Sequence, residues 1–178
     1  MVLVGGGAVA AAKHAALRAA DARVTVVAPV IGPSLRVEGT TLVERGFQPA
    51  DLDGAWYVVA AAPAPINRLV LAAAELRRLF VNAVDDPAAA TAFAPAVIRR
   101  GAATVAVSTG GASPALAGLL REALEAMLPS DLARWAEVGQ DARARWKADG
   151  VPLTARRPLL VEALNRLYDQ DATKGGSR

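Results

Sequence analysis

Apolar and polar positions alternate in two rhythms along the chain, and the change of rhythm marks its elements. Met1-Val-Leu-Val4 is a short apolar run, as a strand buried on both faces should be. Ala8 to Ala20 is built from strong helix formers, and Arg23-Val-Thr-Val-Val-Ala28 is β-branched, so the opening reads strand, helix, strand. Thr40-Thr-Leu-Val-Glu44 predicts a third strand and Trp56-Tyr-Val-Val-Ala-Ala61 a fourth, apolar throughout like a central parallel strand. A helix from about Ile66 to Arg78 then leads to a fifth strand, Leu79-Phe-Val-Asn-Ala-Val84. Strands alternating with helices predict an α/β fold, a Rossmann-like doubly wound parallel sheet.

From Pro87 the pattern changes. Ala96-Val-Ile-Arg-Arg100 and Ala103-Thr-Val-Ala-Val-Ser108 flank a turn at Gly101 and predict a hairpin. Ser113 is an N-cap and Pro114 a first helical residue for a helix to about Leu128, which Pro129 ends. Two more helices are expected, Asp131 to Ala148 and Pro158 to Tyr168, before a polar Lys174-Gly-Gly-Ser-Arg178 tail expected to be disordered. The boundaries expected are 1–94 for the sheet unit, 95–128 for the hairpin and its helix, and 129–178 for the C-terminal helical region. No internal repeat is visible.

Between the first strand and first helix stand Gly5, Gly6 and Gly7. Gly5, Gly7 and Ala10 fit the G-x-G-x-x-A spacing of a dinucleotide fingerprint. Gly5 permits the tight turn, Gly7 lets backbone approach a pyrophosphate, and Ala10 keeps the helix close to its sheet. The helix amides and macrodipole then face the anion. A structural glycine turn is the competing reading. In a doubly wound sheet ligands sit past the carboxyl ends of the strands, which selects Gly5, Gly6, Gly7, Ala8 and Val9, then Ala28 and Pro29, then Ala61 and Ala62, as cofactor-binding candidates. An acid that holds the adenosine ribose usually follows the glycines by roughly 20 residues, yet here that place is Val27-Ala28-Pro29. No side chain there chooses between NAD and NADP.

Composition narrows the class. The chain has 178 residues, 53% hydrophobic but only 4% aromatic, so its core must be built from Ala, Val and Leu. The absence of cysteine excludes disulfides, thiolate nucleophiles and cysteine metal clusters, and fits a cytoplasmic protein. A net charge of +3 suits an acidic small molecule better than nucleic acid. Pro63, Pro65, Asn67 and Arg68 interrupt the most apolar region, so no membrane span is expected. The chain opens on a strand without a basic leader, so no signal peptide is expected.

Three motifs stand in order: Val4-Gly-Gly-Gly7, Val81-Asn-Ala-Val-Asp-Asp-Pro87 and Val105-Ala-Val-Ser-Thr-Gly-Gly-Ala-Ser-Pro114. With Lys13 and Asn67, the set resembles the siroheme synthase N-terminal module family, that of precorrin-2 dehydrogenase and sirohydrochlorin ferrochelatase, over nearly the whole chain. The resemblance implies an NAD-binding domain, a dimerisation segment at 95–128 and a helical tail, assembled as a homodimer. It implies that NAD takes a hydride from precorrin-2 to give sirohydrochlorin in siroheme or cobalamin-type synthesis. Some members then insert Fe2+, and Fe2+ or Co2+ is the chelation substrate to test here. It also implies that Asp85 is catalytic, and the methyltransferase module fused in some members is not expected here. Three departures stand out. The family usually has residues before the first strand; Ala61-Ala62-Pro63 stands where Ala-Thr-Asp is common; and Thr109 replaces a second serine.

Several residues carry two readings. A carboxylate at Asp85 is a plausible base for proton loss beside hydride transfer, or a turn former before Asp86-Pro87. Asn82, Ser108, Thr109, Gly110, Gly111 and Ser113 are substrate-binding candidates, the loop presenting amides and hydroxyls to an anion, against a capped helix with nothing bound. Arg99, Arg100 and Arg121 are candidate partners for substrate carboxylates, but read individually as solvated. His14 lacks fellow ligands and reads as structural or solvated rather than metal-binding, so no metal site is expected. Trp135 and Trp146 read as packing residues, and Arg143, Arg145 and Lys147 as a solvated face. Rival functions are a regulatory nucleotide-binding module without catalysis and a methyltransferase. A short-chain dehydrogenase is set aside, because neither Tyr57 nor Tyr168 is followed by the lysine of Tyr-x-x-x-Lys.

Overall fold

In the computed structural model the description covers residues 1–84, 86–88 and 90–175, with side chains as far as Tyr168. The chain divides into two compact units, one of Met1–Ala94 with Gly110–Ala112, the other of Pro95–Thr109 with Ser113 onward.

The first unit holds five strands, β1 (Val2–Val4), β2 (Thr25–Val27), β3 (Thr41–Val43), β4 (Tyr57–Ala60) and β5 (Phe80–Ala83). They form one sheet in the order β3-β2-β1-β4-β5, every pair parallel. The apolar runs explain this arrangement, because a strand apolar at successive residues needs cover on both faces. Helix α1 (Ala8–Arg18) and helix α2 (Ala64–Leu76) provide it. Side chains alternate between two cores, as strand geometry requires. Val2, Val4, Val27, Val58, Ala60 and Val81 pack with Val70, Ala73 and Ala74 of α2. Leu3, Val26 and Val59 pack with Ala10 of α1 and with Val24, Ala28, Ile31 and Leu35. The strand order reverses between β1 and β4, and a crevice opens there at the carboxyl ends of the strands.

All five strands and α1 lie where the hydrophobic pattern placed them, shorter by one or two residues at the ends, while α2 is shifted, starting and ending two residues earlier than expected. Two 3-10 turns, Pro33–Leu35 and Pro49–Leu52, flank β3. Arg78 takes a left-handed conformation, φ 54°, where the Leu79 amide donates back to the Ala74 carbonyl and closes the end of α2.

In the second unit β6 (Ala96–Arg100) pairs antiparallel with β7 (Ala103–Val107) about Gly101, whose φ is 57°. Helix α3 (Pro114–Met127) packs on this hairpin, and α4 (Leu132–Ala148) and α5 (Leu153–Gly175) pack together. The beginning of α5 differs from expectation. Pro158 lies inside the helix rather than opening it. As the sixth residue of α5, Pro158 lies one turn past the positions whose amides are spare, so the Thr154 carbonyl goes without its helical partner. Arg156 fastens the start by donating from Nε and Nη2 to the Val151 carbonyl at 3.0 and 2.8 Å. The helix also passes Tyr168 and includes Lys174 and Gly175, expected to belong to a disordered tail.

No helix among the described residues is long and apolar enough to cross a membrane.

Candidate functional site: a glycine-lined crevice

A crevice of about 460 Å³ runs over the carboxyl edge of the sheet. Gly5, Gly6 and Gly7 form its floor, Ala28, Pro29 and Val30 one side, Gly46 and Phe47 the wall past β3, and Ala61, Ala62, Pro63 and Ile66 the wall past β4. Of the cofactor candidates, all but Ala8 and Val9 line it. Those two form the first turn of α1, which Gly7 leaves without a side-chain cap.

Each glycine has a separate physical reason. Gly5 has φ +134°, and a Cβ there would sit 2.3 Å from the Ala61 carbonyl oxygen, so only glycine lets β1 turn beside β4. A Cβ on Gly6 would sit 1.9 Å from the Val30 carbonyl oxygen, and the Gly32 amide donates to the Gly6 carbonyl at 3.0 Å. That closeness clamps the segment after β2 onto the glycine loop. Gly7 is the opposite case, because a Cβ there would have no neighbour within 4 Å. The open space lies at the amino end of α1, where uncapped amides and the helix dipole favour an anion. Ala10 is fully buried beneath, and its small side chain keeps α1 near the sheet. The cradle therefore fits a dinucleotide pyrophosphate: two glycines build it and the third leaves it open.

The wall past β3 was missing from the sequence expectations, which considered the residues after the other four strands. The same carboxyl-end rule, applied to β3, reaches Gly46 and Phe47. Arg45 and Asp51 hold this wall. Arg45 Nη1 donates to Asp51 Oδ2 at 2.9 Å and to the Gly46 carbonyl at 2.9 Å, and Nη2 donates to Asp51 Oδ1 at 2.5 Å. The Gln48 amide also donates to Asp51 Oδ2, at 2.8 Å. The Arg45 hydrogen bond, ahead of the opposing desolvation, holds the Asp51 carboxyl below the usual carboxylate range. Across the crevice, buried Asn67 accepts the Ala62 amide at 3.0 Å through Oδ1, fixing the turn into α2.

Asp85, the catalytic candidate, lies outside the described residues. Asn82 is buried on β5, and its Nδ2 donates to the Ala92 carbonyl at 3.1 Å. Its Oδ1 is buried and has no partner among the described residues.

The Ser108 to Ser113 turn follows β7. Thr109 Oγ1 donates to the Ser113 carbonyl at 3.0 Å and accepts the Ser113 amide at 3.1 Å, while Ser113 Oγ accepts the Leu116 amide at 3.3 Å as the N-cap of α3. Gly110 and Gly111 have φ of 62° and 83°. A Cβ on Gly111 would meet the Phe93 ring at 2.4 Å. The hydroxyls of Thr109 and Ser113 are thus engaged in shaping the turn.

Arg100 and Arg121 share the Glu125 carboxylate, at 2.8 and 2.5 Å, whereas Arg99 is exposed. Trp135 donates from Nε1 to the Tyr168 hydroxyl at 2.7 Å, with the rings edge to face, a packing role. Trp146 lines a separate groove between α4 and α5. His14 is buried and bonds through Nε2 to Thr40 Oγ1 at 2.9 Å. Among the described residues no three acids or histidines gather as a metal set.

Comparison with known proteins agrees with this geometry. Residues 1–96 match the family described as "Putative NAD(P)-binding", and residues 100–127 match the one described as "Sirohaem biosynthesis protein central". Siroheme synthase of Citrobacter koseri is 45% identical over 161 residues, covering 88% of this chain and 35% of that protein. Siroheme synthase 1 of Aeromonas salmonicida is 42% identical over 170 residues, covering 93% and 36%. The chain therefore spans about a third of the length of these relatives. In fold it is similar to SirC, a precorrin-2 dehydrogenase, with a TM-score of 0.70 at 21% identity, covering 90% of this chain and 82% of the other. With an NAD(P)-binding match on the sheet unit and the sirohaem central match directly behind it, this chain belongs to the siroheme synthase family, in the part that carries its NAD(P)-binding module.

Proposed function

We propose that the chain is an NAD-dependent dehydrogenase that converts precorrin-2 to sirohydrochlorin in siroheme or cobalamin-type tetrapyrrole synthesis. The observation that carries the reading is the open space at Gly7, at the uncapped start of α1, within a chain alike to siroheme synthases over 88% of its length.

The reaction removes two hydrogens from a reduced macrocycle, one as hydride and one as a proton. The nicotinamide supplies, when bound, the two-electron acceptor for the hydride. The protein must hold that ring and take the proton. Gly5, Gly6, Gly7, Ala8 and Val9 bind the pyrophosphate through backbone, and Ala28, Pro29, Ala61 and Ala62 pack the nucleoside halves. Asp85 is the proton acceptor, a role suited to a carboxylate. Asn82, with an acceptor atom that lacks a partner among the described residues, and the Ser108 to Ser113 turn bind the substrate.

NAD is preferred over NADP in this reading. A 2′-phosphate needs a cation near the end of β2, and the side chains lining the crevice among the described residues are uncharged.

The active form is a homodimer. Leu116, Leu119, Leu120, Leu124 and Met127 are all exposed along α3, Met127 to 80%, away from the side where Arg100 and Arg121 both donate to Glu125. A second copy would cover that face.

The test is anaerobic incubation of the purified protein with precorrin-2 and NAD, following sirohydrochlorin by absorbance. Asp85→Ala is expected to lower kcat by about 100-fold or more while nucleotide binding, measured by calorimetry, persists. Nucleotide binding without turnover in the parent protein would instead support a regulatory module, and unchanged turnover in the variant would remove Asp85 from the chemistry. Adding Fe2+ or Co2+ to sirohydrochlorin with and without protein reports on chelation in the same preparation.

A further inference from the structure

The wall past β3 offers a residue pair whose chemistry bears on the ribose, and this inference rests on the nucleotide reading above. Arg45 stands two residues beyond β3, the strand that neighbours β2, and its amide donates to the Val43 carbonyl. Its guanidinium touches the carbonyl of Gly46, which lines the crevice. A guanidinium in this region is the kind of group that reads a 2′-phosphate. Here it is already matched by a carboxylate. Asp51 meets it in a two-pronged pair, and the Asp51 side chain is only 8% exposed while that of Arg45 is 43% exposed. The acid is thus the anchored partner and the cation the one able to turn outward.

We infer that Asp51 sets the nucleotide preference of this chain, by holding the Arg45 guanidinium that would otherwise bind a phosphate on the adenosine ribose. An acid that discriminates against NADP commonly does so at the end of β2, by bonding the ribose hydroxyls and repelling the phosphate. At Ala28-Pro29 no such acid exists. Asp51 does the work from one strand further out, through a cation rather than through the sugar. With Asp51 neutral, the guanidinium keeps its charge and loses its fixed partner, and a dianionic phosphate becomes its best ligand.

Asp51→Asn removes the charge and keeps an oxygen for the Gln48 amide. Calorimetry with NAD and NADP on the parent, on Asp51→Asn and on Asp51→Asn with Arg45→Gln separates the cases. The expected result is a rise of about tenfold in the NADP-to-NAD affinity ratio for Asp51→Asn, the size of one charge-assisted contact, and its loss in the double variant. Should Asp51→Asn fail to melt cooperatively, Asp51→Ser carries the same expectation. An unchanged ratio in a folded variant, with NAD still bound by the parent, overturns this inference and leaves the cofactor reading intact. A gain that survives removal of Arg45 overturns it as well. A folded parent that binds neither nucleotide overturns both.

Discussion

Val2, Leu3 and Val4 of the first unit are buried on both faces of their sheet, whereas along Ala103–Val107 of the second unit every residue is half-buried or exposed. Among the described apolar residues that are buried, only Ile98, Ala117 and Ala142 belong to the second unit. The first unit closes its core with its own two helices. The second leaves leucines outward along α3, and each would contribute about 1.5–3 kcal/mol if covered. The contrast teaches a division of labour. Order in the first unit comes from steric closure around glycines, and the second unit leaves an apolar helix face uncovered.

The strongest way to break that comparison is at the glycines themselves. Gly6→Ala forces a Cβ against a backbone oxygen that has no room to retreat, so a loss of about 3 kcal/mol or more of stability is expected. Gly7→Ala should behave differently. Its backbone, φ −91° and ψ −170°, suits any residue, and its Cβ meets nothing within 4 Å. Stability should stay within about 0.5 kcal/mol, while NAD affinity falls by about tenfold or more as the methyl occupies the pyrophosphate space. Thermal melts and calorimetry on the two variants give opposite signatures. Equal melting temperatures would show that the crossing at Val30 is not tight, and unchanged NAD affinity in Gly7→Ala would place the phosphates elsewhere.

The first unit was also the more legible in sequence, for the same physical reason. Burial on both faces leaves continuous apolar runs such as Val58-Val-Ala60, and steric closure leaves glycines at fixed spacing, so β1 to β5 and the Gly5 to Gly7 cradle could be read directly. The crossing of Gly6 by Val30 could not, since it joins residues whose types carry no mark of each other. Nor could the Arg45–Asp51 pair, which looks in sequence like two solvated charges. In the second unit the hairpin and α3 were legible through Gly101, Ser113 and Pro114. The start of α5 was not, because Pro158 signals an opening while the helix begins at Leu153, where Arg156 bonds the Val151 carbonyl.

The interface proposed for the second unit is tested by placing charge on the α3 face. Leu119 and Leu120 are 63% and 42% exposed, so Leu119→Glu with Leu120→Glu should leave the isolated chain folded. Burying two carboxylates in an interface is costly, on the order of 2 kcal/mol or more. Light scattering should therefore give a dimer mass for the parent and a monomer mass for the variant at the same concentration. A parent that is already monomeric would remove the dimer from the proposal. A variant that remains dimeric would move the interface off α3.

The smallest expected effect lies back in the first unit, at its one buried imidazole. His14 is 2% exposed and reaches Thr40 Oγ1 at the connection into β3. Burial first, and the Arg18 charge one turn along α1 second, hold its pKa below the ordinary 6.5. A base whose folded pKa is depressed stays neutral in the native state while the unfolded chain takes up a proton. Below about pH 6.5 the unfolded state then binds more protons, so stability falls as pH falls, until the folded value is passed and the difference levels. Above that range the contribution is fully present. Carboxylates elsewhere also titrate in acid, so the informative quantity is the difference between the parent and His14→Gln, whose amide can still meet Thr40. The parent's advantage in melting temperature should shrink between about pH 8 and about pH 5. An advantage that grows on acidification would mean that the imidazole is charged in the folded protein, and that α1 is packed against the sheet less tightly than the closed first unit requires.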